Sequence, residues 1–180
     1  EPGRSTAYTY DPLGNKLTEA VTDTATSQTR TWAWTYNSQG LVATSTDPRG
    51  NVSQYAYDTS GNLTSFKDPL NQETRYTYDT AGRVTQETVP NGLVTGYSYD
   101  LRGRVLQITR GTEVSTFSYT PSGQISGLSL PNGYAIAYTY DAAQRLVSAT
   151  DNRANSIQYT LDAMGNRLRE EVKDPAGAIA

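Results

Sequence analysis

Side chains able to do acid–base or metal chemistry recur in this sequence at almost constant spacing. Asp11, Asp58, Asp79, Asp100, Asp141 and Asp162 occupy one slot, in which Asn37 and Thr120 stand for the other two copies. Carboxylates bind calcium when six or more oxygens converge on one point. A carboxylate pair at one locus can hydrolyse bonds by general acid–base catalysis. Arg83, Arg104 and Arg145 fill a second recurring slot, which would offer a polyanion a row of cations. Trp32, Trp34 and Tyr134 are the candidates for stacking on a sugar, because they break the otherwise regular aromatic pattern.

Each of these chemistries has a plainer competitor. Asn and Thr cap turns as Asp does, so the substitutions at 37 and 120 fit turn capping better than metal ligation. The arginines are expected to face solvent and pair loosely with nearby acids. A catalytic pair needs one distinctive locus, whereas a repeat offers eight equivalent ones, so no enzyme is expected. With no Cys and no His, disulfides, thiolate nucleophiles, Ser-His-Asp triads and His-ligated metals are excluded. No cofactor and no metal are expected. A net charge of -3, with acids and bases spread without blocks, gives nucleic acid no basic stripe. No run approaches 18 apolar residues, so no membrane span is expected in this stretch. The opening Glu1-Pro2-Gly3-Arg4 lacks the regions of a signal peptide.

The elements that hold these slots are read from the repeat itself. The anchor aromatics are Tyr10, Tyr36, Tyr57, Tyr78, Tyr99, Tyr119 and Tyr140, with Leu161 in the eighth copy. They are spaced by 26, 21, 21, 21, 20, 21 and 21 residues. The surplus of the first interval is placed in the polar stretch Thr22-Asp23-Thr24-Ala25-Thr26-Ser27, as a surface-loop insertion. Two residues before each anchor stands Tyr8, Trp34, Tyr55, Tyr76, Tyr97, Phe117, Tyr138 or Tyr159, and the residue between is always small. Thirteen of the 14 tyrosines fill these two slots, leaving Tyr134 outside. Aromatic–small–aromatic has period two, so both rings leave one face of a β-strand.

Three residues after the Asp slot come Gly14, Gly40, Gly61, Gly82, Gly103, Gly123 and Gly165, with Gln144 the exception. Asp-x-x-Gly reads as a type I turn followed by a glycine bulge, the loop of a hairpin. The returning strand carries Leu17, Val42, Leu63, Val84, Val105, Ile125, Leu146 or Leu168. Leu17 and Leu168 stand one residue further from the turn, which predicts a wider bulge there. Irregularity is also expected at Thr120, Gln144 and Leu161. Second loops close the units at Asp47-Pro48-Arg49-Gly50, Asp68-Pro69-Leu70-Asn71, Pro90-Asn91-Gly92, Pro131-Asn132-Gly133 and Asp174-Pro175-Ala176-Gly177. Pro2-Gly3 resembles the tail of such a loop, so the chain is expected to begin and end inside a longer array. The approximate repeats are 4–29, 30–52, 53–73, 74–94, 95–114, 115–135, 136–156 and 157–177.

Eight hairpins make an all-β strip of about sixteen strands, on the order of 75 Å long at the usual strand spacing. Rows of Tyr with Leu, Val or Ile between them stabilise a sheet by roughly 0.2–1 kcal/mol per cross-strand pair. An apolar fraction of 36% with 14 tyrosines suits a thin sheet better than a thick core. A single layer leaves its edges unpaired, so a curved or spiralling sheet is expected, completed by further repeats.

Units such as Tyr76-Thr77-Tyr78-Asp79-Thr80-Ala81-Gly82-Arg83-Val84 resemble the YD repeat of the RHS (rearrangement hotspot) proteins. That repeat is shared with the C components of insecticidal toxin complexes and with teneurins. The resemblance implies a structural scaffold: a β-sheet cocoon that encapsulates a toxin or effector cargo and is completed by further YD repeats. It implies a protein that is secreted, delivered by a bacterial secretion system, or held at the cell surface. The alternative is a cell-surface adhesion or carbohydrate-binding module using exposed aromatics, with glycans as partners. The family's self-cleaving core carries an Asp-Pro-x-Gly-Leu-type motif. Asp174-Pro175-Ala176-Gly177-Ala178 has Ala where Leu belongs and is assigned no catalytic role.

Overall fold

The computed structural model describes residues 3–176. Pro2, Gly177 and Ala178 of the proposed terminal loops lie outside the described residues. Sixteen antiparallel strands form one open sheet whose order is the order of the sequence. They are β1 (Arg4–Tyr10), β2 (Lys16–Asp23), β3 (Thr29–Tyr36), β4 (Val42–Thr46), β5 (Val52–Tyr57), β6 (Leu63–Lys67), β7 (Glu73–Tyr78) and β8 (Val84–Thr88). The chain continues with β9 (Val94–Tyr99), β10 (Val105–Arg110), β11 (Glu113–Tyr119), β12 (Ile125–Ser129), β13 (Ala135–Tyr140), β14 (Leu146–Asp151), β15 (Ser156–Leu161) and β16 (Arg167–Lys173). No helix occurs among the described residues. The chain divides into two compact units, Glu1–Val94 and Thr95–Ala180.

Odd strands end on the anchor residue, aromatic in all but β15, and even strands return from the turn. Within each hairpin the register breaks once, just before the anchor. Thr35 faces Thr44 but Tyr36 faces Val42, so Ala43 is left over as the bulged residue. The same break separates Thr77/Gln86 from Tyr78/Val84 and Thr139/Ser148 from Tyr140/Leu146. Between hairpins the ladder runs without a break, as in Ser45↔Ser53 and Ala149↔Ile157.

The terminal repeats depart from the expected wider bulge. Tyr10 faces Lys16 and Leu161 faces Arg167, so Leu17 and Leu168 are the single left-over residues. The bulge has its ordinary width, and a cation takes the aliphatic slot. Lys and Arg suit it because their alkyl stems pack while the charge reaches an aromatic face. The Lys16 ammonium lies 4.2 Å from the Trp34 ring centre, and the Arg167 guanidinium 4.7 Å from that of Tyr159. Leu168, displaced from the slot, is 67% exposed.

The 26-residue interval is resolved by longer strands and not by a longer loop alone. β2 and β3 each have 8 residues, against 5 in β4 and 6 in β5. Asp23 to Gln28 closes this loop where Asp47 to Asn51 closes the next, so the turn takes one extra residue and each strand two. Adding two residues to both partners preserves the alternation of faces. The 20-residue interval has the opposite cause: Arg110 pairs with Glu113 across Gly111-Thr112 alone. Gly111, at φ 61°, supplies the positive φ that a two-residue hairpin turn needs.

No side chain is buried among the described residues. The aromatic face is half-buried by its own neighbours, as where Tyr55 and Phe66 pack with ring centres 5.3 Å apart. The small residues between the aromatics lie on the opposite, exposed face, where hydroxyls join strands: Thr9 to Thr18 at 2.6 Å, Thr35 to Thr44 at 2.7 Å and Thr139 to Ser148 at 2.7 Å.

Candidate functional site

Two regular features offer functional groups: the row of turns along the sheet's margin and the aromatic face. In the turns, each Asp is consumed by its own loop. One oxygen of Asp58 accepts the amides of Ser60 at 2.8 Å and Asn62 at 2.9 Å, and the other accepts the Asn62 side chain at 2.9 Å. Asp11 and Asp162 are held in the same way by Asn15 and Asn166. These bonds favour the carboxylate form: the Asn15 side chain, opposed by partial desolvation and aided by backbone amides, holds Asp11 below the usual range. Asp79 is lowered first by the Arg83 amide and then by its guanidinium. No group of three His, Cys, Asp or Glu able to hold a metal occurs among the described residues.

Gly14, Gly40, Gly61, Gly82, Gly103, Gly123 and Gly165 all have positive φ, as the turn requires. The weak copies keep the same backbone, which corrects the expected irregularity. Gln144 adopts φ 65° and its amide still donates to the Asp141 carbonyl at 2.9 Å. The Thr120 hydroxyl accepts the amides of Gly123 at 3.2 Å and Gln124 at 3.1 Å. Leu161 keeps the register of the anchor it replaces. Bulge and ladder on both sides overdetermine the turn, so one imperfect residue is absorbed as local strain.

Arg83, Arg104 and Arg145 are not loosely held at the surface. Each places its Nε and one terminal nitrogen on the turn's Asp, with Arg104 Nε 2.6 Å and Arg145 Nε 2.7 Å from their carboxylates. Arg145 Nη1 also donates to the Asp162 carbonyl in the next turn at 2.9 Å. Gln39 reaches Asp58 O at 3.2 Å in the same sense. An arginine after the turn glycine, as at Arg104 and Arg145, thus clasps one turn to the next, and Gln39 does so from the position before Gly40. The recurrence of Gly-Asn and Gly-Arg pairs was the available signal for this role. A further turn at Asp151–Asn155 escaped notice because Ala154, at φ 68°, stands where Gly would mark it.

On the aromatic face the anchor phenols reach backward. Tyr36 donates to the Lys16 carbonyl at 2.8 Å, Tyr78 to Leu63 at 2.7 Å, Tyr119 to Val105 at 2.8 Å and Tyr140 to Ile125 at 2.7 Å. Each acceptor precedes the bulged residue, where the strand ladder is interrupted. The phenol satisfies a carbonyl that the bulge releases. Burial pushes the Tyr57 and Tyr78 phenols up, which keeps Tyr78 a neutral donor to Leu63. Tyr8, Tyr10, Tyr55, Tyr76, Tyr97, Tyr99, Phe117, Tyr138 and Tyr159 continue the same face.

Of the sugar candidates, Trp32 and Trp34 stand together on β3, in the first unit. Trp32, with Arg4, Asp23, Gln28 and Arg30, lines a groove of about 220 Å³. Tyr134 belongs to the second unit, where Arg153 lies 5.9 Å from its ring centre. That unit also has an apolar hollow of about 230 Å³ on the aromatic face, between Phe117, Leu128, Tyr138 and Leu146.

Comparison with curated proteins finds no match. Among solved structures, the "Crystal Structure of TcdB2-TccC3-Cdc42" aligns with TM-score 0.69 at 19% identity, covering 93% of this chain and 11% of that chain. The "Crystal Structure of TcdB2-TccC3" aligns with TM-score 0.69 at 19% identity over 95% of this chain and 12% of that chain. The "Crystal Structure of TcdB2-TccC3 without hypervariable C-terminal region" gives TM-score 0.67 at 20% identity, over 95% and 11%. The chain thus spans only 11–12% of the length of these structural relatives. They share its fold. The Teneurin YD-shell family matches residues 4–169, nearly the whole length over which hairpin, bulge and phenol latch recur, and the chain belongs to that family.

Proposed function

We propose that this chain is part of the wall of a β-sheet shell that encloses a toxin or effector cargo, acting by exclusion and not by bond chemistry. The observation that carries this reading is a sheet built for continuation. It buries no side chain of its own among the described residues, yet phenol latches at Tyr36, Tyr78, Tyr119 and Tyr140 and clasps at Gln39 and Arg145 tie neighbouring repeats together. Such a layer stabilises itself along its length while leaving two broad faces, one aromatic and one hydroxyl-lined. A wall needs that division. In the repeat's Asp slot, at Asp11, Asp58, Asp79, Asp100, Asp141 and Asp162, both carboxylate oxygens accept hydrogen bonds within the turn, which supports a non-catalytic role. The family supports a secreted or extracellular parent protein.

Electron microscopy of the parent protein tests this directly. A hollow particle with density inside is expected, together with protease resistance of the enclosed segment until the wall is opened. A solid particle, or a cargo cleaved as fast in the intact protein as alone, would overturn the proposal.

Carbohydrate binding is a second reading, favoured by one locus. Trp32 beside Asp23, Gln28 and Arg30 combines a stacking face with polar groups. Both tryptophans of the chain lie on β3, so a saturable change in their fluorescence with oligosaccharide would report this groove. An unchanged spectrum across acidic and neutral sugars would remove the reading.

A further inference from the structure

Between the turns that begin at Asp58 and Asp79 the row opens into a cleft of about 420 Å³. Asp58, Ser60 and Asn62 line it from the first turn, and Asp79 and Thr80 from the second. Elsewhere in the row a guanidinium spans two successive turns. Arg104 sets Nε and Nη2 on Asp100 Oδ2, each at 2.6 Å, and its Nη1 reaches the Thr120 carbonyl of the next turn at 3.4 Å. Arg145 spans Asp141 Oδ2 and the Asp162 carbonyl in the same way, at 2.7 and 2.9 Å. Arg102 adds a 2.7 Å bond to the Pro121 carbonyl.

Asn62 stands where those turns have Arg. Its side-chain amide gives Asp58 Oδ2 one donor, whereas Oδ2 of Asp100 and of Asp141 each receives two. The shorter side chain ends at its own turn. Among the described residues the Asp79 carbonyl accepts only the Gly82 amide, and no side chain reaches the Thr80 carbonyl. Charge is left over as well. Asp58 has no cation at ion-pair distance among the described residues, while Asp79, Asp100 and Asp141 each pair with an arginine. The cleft is thus the space that an arginine fills at the sister turns, and it keeps the acceptors and the negative charge that an arginine meets there.

We propose that this cleft binds the arginine side chain of a partner polypeptide, which docks in trans where Arg104 and Arg145 dock in cis. One edge of the guanidinium donates to Asp58 Oδ2 and the other to the Asp79 or Thr80 carbonyl. A planar fork suits that span, because its donors lie in fixed directions on two edges and it accepts nothing. A lysine ammonium concentrates its donors on one atom and bridges the two turns poorly. The carboxylate makes the bond to the cation stronger than one between neutral groups. The assignment stands whether or not the shell encloses a cargo.

Titration of the 180-residue chain with Nα-acetyl-arginine amide, followed by amide NMR, tests the site. Saturable shifts at Ser60, Asn62 and Thr80 are expected, and shifts that grow without saturation overturn the proposal. The acetyl-lysine amide should bind several-fold more weakly. The acetyl-citrulline amide, which keeps the shape and loses the charge, should bind more weakly still. An affinity equal to that of arginine for either one overturns the choice of a guanidinium. Asn62→Arg supplies in cis the residue of the sister turns, so it should close the cleft and abolish the shifts. Asn15→Arg adds the same charge at the first turn and should leave them in place. Binding that survives Asn62→Arg, or that is lost in both variants while circular dichroism is unchanged, overturns the site.

Discussion

The Tyr36 phenol donates a 2.8 Å hydrogen bond to the carbonyl of Lys16, one repeat upstream. The bond links two features that the repeat specifies separately, the anchor tyrosine and the bulge. Tyrosine is favoured over phenylalanine at the anchor because the bulge leaves a carbonyl that the ladder does not satisfy. Where it recurs, at Tyr78, Tyr119 and Tyr140, the bond also fixes the stagger between successive hairpins.

Tyr78→Phe removes the donor to Leu63 while leaving the ring. A loss of about 1 kcal/mol is expected, since a half-buried carbonyl is left unpaired. Urea unfolding measures it. The same substitution at Tyr97, outside the anchor slot, serves as the comparison. Equal costs at 97 and 78 would show that the latch is not what the anchor phenol contributes.

Leu161 has no hydroxyl to offer the Leu146 carbonyl. Leu161→Tyr should therefore stabilise the last hairpins, by up to about 1 kcal/mol if the ring enters the anchor rotamer. Slower hydrogen exchange along β15 and β16 is the direct readout. Faster exchange there would mean that the leucine is locally optimised.

Much of this architecture was legible from the residues because period and turn chemistry agreed in every copy. Aromatic–small–aromatic fixed the faces, and Asp-x-x-Gly located the hairpins. Three features were not legible, for different physical reasons. Leu17 and Leu168 looked like slot residues because hydrophobicity alone cannot reveal that a lysine or arginine stem may fill an aliphatic position beside an aromatic ring. The clasp of Arg145 onto the Asp162 carbonyl joins residues 17 apart through a turn geometry that spacing does not encode. The extra length at the first interval was misplaced because a polar composition is shared by loops and by the exposed ends of β2 and β3.

Gln144 holds φ 65° where its homologues are glycine. The left-handed conformation costs a side-chain residue on the order of 1 kcal/mol. Gln144→Gly should recover much of that cost, less the entropy gained by the unfolded chain. Gln144 also receives the Gln124 side-chain amide at its own Oε1, 2.9 Å away, and this contact would be lost. A melting temperature raised by a few degrees is expected, and one lowered by the change would show that the Gln124 contact outweighs strain.

Acid should loosen the turns. Asp11, Asp47, Asp58, Asp79, Asp100, Asp141, Asp151 and Asp162 all titrate below the ordinary value of 3.8. Hydrogen bonds to the charged form cause most of these shifts, and in Asp100 they outweigh an opposing desolvation. A folded-state pKa below the unfolded one adds stability that is complete above the unfolded pKa. That stability is lost as pH falls through the folded values. Melting temperature should be level from pH 7 to 5 and drop steadily below 4. Replacing Asp58 by Asn, as at position 37, should shrink the drop. A profile flat to pH 3 would contradict the capping role.

The last test separates the cap from the clasp. Arg145 bonds its own Asp141 and also the Asp162 carbonyl of the next turn, whereas Asn15, Asn62 and Asn166 in the same slot bond only their own aspartates. Arg145→Asn should keep the cap and lose the clasp, while Arg145→Ala loses both. If turn-to-turn contact matters, Asn should already lower the melting temperature by about 2–4 °C, with Ala lower still. If only the cap matters, Asn will match the parent chain. Surface ion pairs are screened by salt, whereas the bond to the carbonyl is partly shielded within the turn row. The Asn-to-parent difference should therefore persist at high ionic strength, and its disappearance in 1 M salt would reduce the clasp to a charge effect.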